Sequence, residues 1–119
     1  MITEFRRLIF SADELRKAIE TFDRGKDARL PVGAIDEITI ASDPEISVTA
    51  RVRGGPSDTP PNEVRLDANY VAAAMLFYCS RCRIPVPKSA KKTLEIEGDC
   101  LALSLSLNSY PHSVHWETN

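Results

Sequence analysis

The sequence predicts an α+β fold made of two tandem β-α-β-β units, and three observations lead to that prediction. Two segments have the apolar spacing of helices, and several others alternate apolar and polar residues as strands do. These segments recur in the same order in each half of the chain. The 119 residues have the length of one domain, 1–119.

A nearly constant offset relates the two halves. Phe10-Ser11 closes a strand and opens a helix, as Leu66-Asp67 does 56 positions later. Arg-Leu-Pro-Val at 29–32 matches Arg-Ile-Pro-Val at 83–86, and the alternation at 46–52 matches that at 101–107. Alternating strands align with one another in any case, so an internal repeat is a hypothesis. We place the units at about 1–53 and 64–108, with a linker at 54–63 and an irregular tail at 109–119.

The first unit has a strand near 3–10, a helix, and two strands near 34–41 and 45–53. Ser11 with Glu14 three residues later forms a capping-box pattern that predicts the helix start. The helix has one apolar face and ends before Gly25, which tolerates the left-handed conformation of a helix end. Strict alternation in the strands predicts one buried side and one polar side.

The second unit has a helix at about 67–82, with Asp67 as N-cap, and a hairpin that turns at Gly98-Asp99. This helix is apolar nearly all round, since Leu76 and Phe77 lie outside its main apolar stripe. Such a helix is either central to the fold or covered by a partner. We expect a mainly antiparallel six-stranded sheet with both helices on one face, or alternatively a partly closed barrel.

Composition excludes some classes of protein. The net charge is −2 and neither half is strongly basic, which disfavours nucleic acid as an obligatory partner. We expect no membrane span, because no apolar run reaches the necessary length. Nothing in the sequence indicates a cofactor or secretion, so we expect a cytoplasmic protein with reduced thiols.

Three cysteines invite two chemical interpretations. Cys79 and Cys82 form a CxxC pair at a helix C-terminus, where the helix dipole disfavours a reactive thiolate. With Cys100 and either His112 or His115 the pair forms a weak candidate for a zinc site, since the second half of the ligand set matches poorly. Buried, inert cysteine is the simpler interpretation.

The candidate binding residues lie mostly in the second unit. A basic run interleaved with prolines is suited to a phosphate or another anion, although a solvated connector has the same composition. The candidates are Leu76, Phe77, Arg81, Arg83, Lys88, Lys91 and Lys92, together with Arg51 and Arg53 on a strand.

Function is weakly specified by these patterns. No nucleophile elbow, glycine-rich phosphate loop or local catalytic set occurs, so we assign no catalytic residue and favour a protein that is not an enzyme. We predict a small binding or interaction protein, a homodimer that acts through protein–protein contacts. The alternatives are a binder of an anionic small molecule or nucleic acid through 81–92, and a small enzyme whose site leaves no local motif.

Overall fold

The computed structural model describes residues 1–25, 29–31, 33–54 and 62–109. It confirms the α+β class and the order β-α-β-β in each half. The fourth strand begins at Asn62, so the predicted linker 54–63 is shortened at its C-terminal end. Residues 110–119 of the predicted tail lie outside the described residues. The elements are β1 (Ile2–Phe10), α1 (Ala12–Asp23), β2 (Ala34–Ala41), β3 (Ser47–Arg53), β4 (Asn62–Asp67), α2 (Ala68–Arg81), β5 (Lys91–Glu97) and β6 (Cys100–Ser109).

The six antiparallel strands form two three-stranded sheets, ordered β1-β6-β5 and β2-β3-β4, rather than one six-stranded sheet. The first strand of each half pairs with the last strand of the other half. Phe10 of β1 lies opposite Leu101, and Leu66 of β4 lies opposite Val48. Each hairpin thus obtains its third strand from the other half, and the described strands do not close into a barrel.

Both helices begin where the sequence predicts. The Ser11 hydroxyl accepts a hydrogen bond from the N–H of Glu14 (3.2 Å), and the Asp67 carboxylate accepts one from the N–H of Tyr70 (2.8 Å). These bonds satisfy N–H groups that have no partner within the helix. Neither described helix has the length and apolar character that crossing a membrane demands.

The apolar surface of α2 is largely covered within the chain. The helix packs against α1, β3 and β4, which bury five of its side chains. This packing removes the need for a partner on that helix, which was one reason to expect a dimer. The buried residues are Tyr70, Val71, Ala74, Met75 and Cys79.

One carboxylate fastens the end of α1. Oδ1 of Asp23 accepts hydrogen bonds from the backbone N–H groups of Arg29 (2.7 Å) and Leu30 (3.2 Å) and from the Tyr70 hydroxyl (2.8 Å). Because all three donors are satisfied by one oxygen, Asp23 ties α1 to α2 and to the segment that follows α1.

Candidate functional site

An open cleft lies between the C-terminal half of α2 and the segment 82–90. Its volume is about 650 Å³, which is within the usual range of small-molecule sites. Four predicted binding residues, Leu76, Arg83, Lys88 and Lys92, are brought together in its wall. The other lining residues are Ser80, Ile84, Pro85 and Val86.

The end of α2 positions Arg83 at this cleft. The N–H of Arg83 donates to the carbonyl of Ser80 (3.1 Å), and the N–H of Ile84 donates to that of Cys79 (2.8 Å). This pair of bonds is the Schellman closure of a helix, and it requires a left-handed residue. Arg83 adopts that conformation, with φ 61°. Glycine is favoured at such a position, because in the left-handed conformation the Cβ of any other residue comes too close to the following carbonyl oxygen. Backbone strain of this kind is concentrated at functional sites.

Lys92 reaches the cleft from β5. It lies opposite the buried Leu105, so its side chain is on the inner face of the sheet, where it is half-buried. Its Nζ donates to the backbone carbonyls of Lys88 (3.2 Å) and Ala90 (3.0 Å). These acceptors are neutral, and Lys92 forms no ion pair with a carboxylate of the described residues.

The electrostatic field of the cleft is therefore of one sign. Arg83, Lys88 and Lys92 supply three positive charges, and the described residues of the lining include no Asp or Glu. Among the described residues of the wall there is also no His or Cys. The arrangement is suited to binding an anion.

A shallower depression of about 380 Å³ meets the cleft at Lys92 and continues beside α2. It is lined mainly by apolar groups, including Ile46, Ala72 and Leu94, with Glu45 among the lining residues. Lys92 thus lies in the wall of both depressions, and each of them has apolar lining residues.

Two predicted arginines lie elsewhere. Arg51 and Arg53 are on the outer face of β3, opposite to the buried Val52. Arg51 is 3.3 Å from a carboxylate oxygen of Glu37, and Arg53 is 3.3 Å from one of Asp36. Their charges are partly neutralised by neighbouring strands, and neither residue lines the cleft.

The remaining predicted binding residues also lie outside the cleft wall. The guanidinium of Arg81 is 5.8 Å from the ring centroid of Phe77, and that ring packs at 5.7 Å against Phe22 of α1. Lys91 is on the outer face of β5, opposite Ser106. Phe77 and Arg81 therefore belong to the contact between the helices.

All three cysteines are free, with Cys79 buried and Cys82 exposed. Burial raises the pKa of the Cys79 thiol, the opposite of what a reactive thiolate requires. No group of three or more potential metal ligands occurs in the described part of the chain. His112 lies outside it, so the zinc hypothesis that joins His112 to Cys79, Cys82 and Cys100 stays untested.

Comparisons of the chain with protein-family models, with curated proteins and with solved structures give no match. The chemistry of the cleft is therefore the basis on which a function is inferred.

The sequence pattern did not predict that the segment 84–86 forms the apolar wall of the cleft. Ile84, Pro85 and Val86 read as an extended connector, because a residue before proline is biased toward extended backbone. The available signal is that this stiff apolar stretch follows directly on a helix end with cationic residues on either side. Leu76 is half-buried and lines the same cleft, a placement that only the folded chain shows.

Proposed function

We propose that the protein binds a small anionic molecule that has an apolar portion, and that the cleft between α2 and segment 82–90 is the binding site. The observation that supports this most directly is that Lys92 is half-buried at the cleft while its ammonium donates to neutral backbone acceptors and forms no ion pair within the described residues. Partial burial of a positive charge without an anionic partner is costly, and a bound anion offsets that cost.

The lining suggests how such a ligand is held. Arg83 and Lys88 are exposed at the cleft and attract the anionic group, while Lys92 offers the third hydrogen of its ammonium. Leu76, Ile84 and Val86 form an apolar surface for the rest of the molecule. A carboxylate or phosphate monoester with a hydrocarbon or ring system has both features.

The same lining favours this proposal over the alternatives. Single-stranded nucleic acid is bound by stacking on aromatic rings, and the part of the cleft wall that the structure describes contains none. An enzyme needs convergent catalytic groups, and the described residues of this wall place no carboxylate, His or Cys beside the three cations. Self-association, the leading prediction from the sequence, is motivated by a separate surface on β1, described below.

Calorimetric titration with decanoate, decyl phosphate and the neutral decanol tests the proposal. Decanoate or decyl phosphate should bind, and decanol should bind at least about tenfold more weakly, because a charge-assisted hydrogen bond contributes about 1.5–3 kcal/mol. Raising the salt concentration should weaken the binding of the anionic probe.

Two adjacent lysines provide a matched pair of variants. Lys92→Gln removes the charge at the cleft and should weaken binding of the anionic probe about tenfold or more. Lys91→Gln makes the same change on the outer face of β5 and should leave the affinity unchanged. Equal affinity for decanol and decanoate, or equal effects of the two variants, would show that the cleft is not an anion site.

A further inference from the structure

Strand β1 is an outer strand of its sheet and presents apolar side chains to solvent. Its only strand partner among the described residues is β6, so its other edge has backbone N–H and C=O groups without strand partners. Of the seven large apolar residues exposed in the described chain, four lie between positions 1 and 9. They are Met1 (65% exposed), Ile2 (68%), Phe5 (76%) and Ile9 (53%).

The other three edge strands have features that discourage pairing with another chain. β2 contains a register shift between Ile35 and Glu37, β4 has only six residues, and four of the seven residues of β5 are charged. β1 has nine residues in unbroken register with β6 and contains neither proline nor glycine. Among these edges, β1 is the one best suited to accept a further strand.

We propose that β1 pairs in antiparallel orientation with β1 of a second copy of this chain, about a twofold axis through Phe5. The two β1-β6-β5 sheets then form one continuous six-stranded sheet shared by two copies. A twofold contact of this kind uses the same surface on both copies, so the strand must be complementary to itself. The sequence of β1 meets this requirement in one register.

That register places Phe5 opposite Phe5 of the second copy. Glu4 then lies opposite Arg6 of the second copy, and Arg6 opposite its Glu4, on the inner face of the joined sheet. Glu4 forms no ion pair within the described chain, and the contact of Arg6 with the carbonyl of Pro85 (2.8 Å) leaves other guanidinium donors available. The remaining apolar pairs are Met1 with Ile9 and Ile2 with Leu8, each twice.

The neighbouring registers lack this complementarity. Moving the axis by one residue toward either end places Glu4 opposite Glu4 or Arg6 opposite Arg6, and moving it to position 7 places Arg7 opposite Arg7. Like charges directly opposite one another destabilise an antiparallel pair. Charge pairing and apolar pairing therefore select the same axis at Phe5.

The mass of the protein in solution tests the association. Light scattering across a dilution series should show a species of twice the 13.2 kDa mass of one chain. Phe5→Lys places two lysines together at the axis and should shift the protein to one chain at every concentration. Ile96→Lys, at an apolar residue 38% exposed on the far edge strand of the same sheet, is the control and should leave the dimer intact.

Charge reversal tests the register itself. Glu4→Arg and Arg6→Glu should each dissociate the dimer, because each places like charges opposite one another. The double variant restores both pairs and should recover the dimer to within about tenfold of the original dissociation constant. Thermal unfolding of each variant identifies any that fails to fold.

Cross-linking provides a second measure of the register. In a Cys82→Ser, Cys100→Ser background, Phe5→Cys should form an intermolecular disulfide, because residues directly opposite have Cα atoms about 4.5–5.5 Å apart. Thr3→Cys should not, since its partner would be Arg7 of the second copy. A single-chain mass throughout, a dimer that survives Phe5→Lys, no recovery by the double charge reversal, or cross-linking by Thr3→Cys would overturn the proposal.

Discussion

Replacing Arg83 by glycine should stabilise the fold and weaken anion binding at the same time. Arg83 holds φ 61° in the Schellman closure of α2, which costs an L-residue about 1–2 kcal/mol. Glycine removes that strain but gains freedom in the unfolded chain, which costs about 0.5–1 kcal/mol. The midpoints of these two ranges differ by about 0.75 kcal/mol, which is the expected net gain in the free energy of unfolding.

The same substitution two residues earlier should have the opposite sign. Arg81→Gly places glycine in the last turn of α2, which costs about 0.8–1 kcal/mol of helix propensity. It also removes the contact between the guanidinium and the Phe77 ring at 5.8 Å, worth about 0.5 kcal/mol at an exposed site. The expected loss is about 1–1.5 kcal/mol.

Urea unfolding followed by circular dichroism measures both effects. The slope of the free energy of unfolding against urea concentration should be the same for each variant and the original protein, which checks two-state behaviour. Arg83→Ala separates backbone from side chain, since alanine keeps the strain and loses the guanidinium. Both Arg83 variants should weaken binding of decanoate, and only the glycine variant should be more stable. An Arg83→Gly protein no more stable than the original would show that strain at this residue is absent or compensated by its side-chain contacts.

Three further predictions concern the packing of the helices and the sheet edge. Asp23→Ala leaves three donors without their acceptor and should lower the free energy of unfolding by about 2 kcal/mol in urea. Gly33 has φ 147°, and Gly33→Ala would place a Cβ 2.8 Å from a backbone oxygen of β3. This variant should lower the free energy of unfolding in urea by about 1–3 kcal/mol. Gly25→Ala is the control and should lower it less, because the nearest atom to its Cβ would be 3.4 Å away. The hydrogen bond to Glu14 (3.0 Å), with burial, raises the pKa of Tyr78 to about 12. In the unfolded chain the Tyr78 hydroxyl has its ordinary pKa of 10.0, so it loses its proton at a lower pH than in the folded chain. The free energy of unfolding should therefore fall as the pH rises from about 10 to about 12. Glu14→Gln should lower the tyrosinate midpoint seen by absorbance, and an unchanged midpoint would contradict the assigned cause.

The helices and strands were predictable because their signals are local. Ser11 and Asp67 cap the helices they were expected to cap, and the turn at Gly98 joins β5 to β6 as the sequence indicates. The exchange of strands between halves was not predictable. Alternation specifies which face of a strand is buried, and it contains no information about which strand lies beside it.

The site was predictable only in part, for a similar reason. The run from Arg81 to Lys92 contains every cation of the cleft, yet a basic run does not reveal which side chains converge. Lys91 and Lys92 are neighbours in sequence and lie on opposite faces of β5, so only one of them reaches the cleft. The strain at Arg83 depends on the geometry of a helix end, which composition does not report.

The pairing of β1 with β6 sets an order of events during synthesis. Among the described strands, the ribosome makes residues 2–10 before all the others and their partner, residues 100–109, after all the others. The β2-β3-β4 sheet can form as soon as residue 67 has emerged, whereas β1 must wait until β6 is made. Throughout that interval the nascent chain displays an apolar strand with both edges unpaired. Chaperones that bind extended apolar segments would therefore have a target in β1, and premature termination before β6 would release a product prone to aggregation.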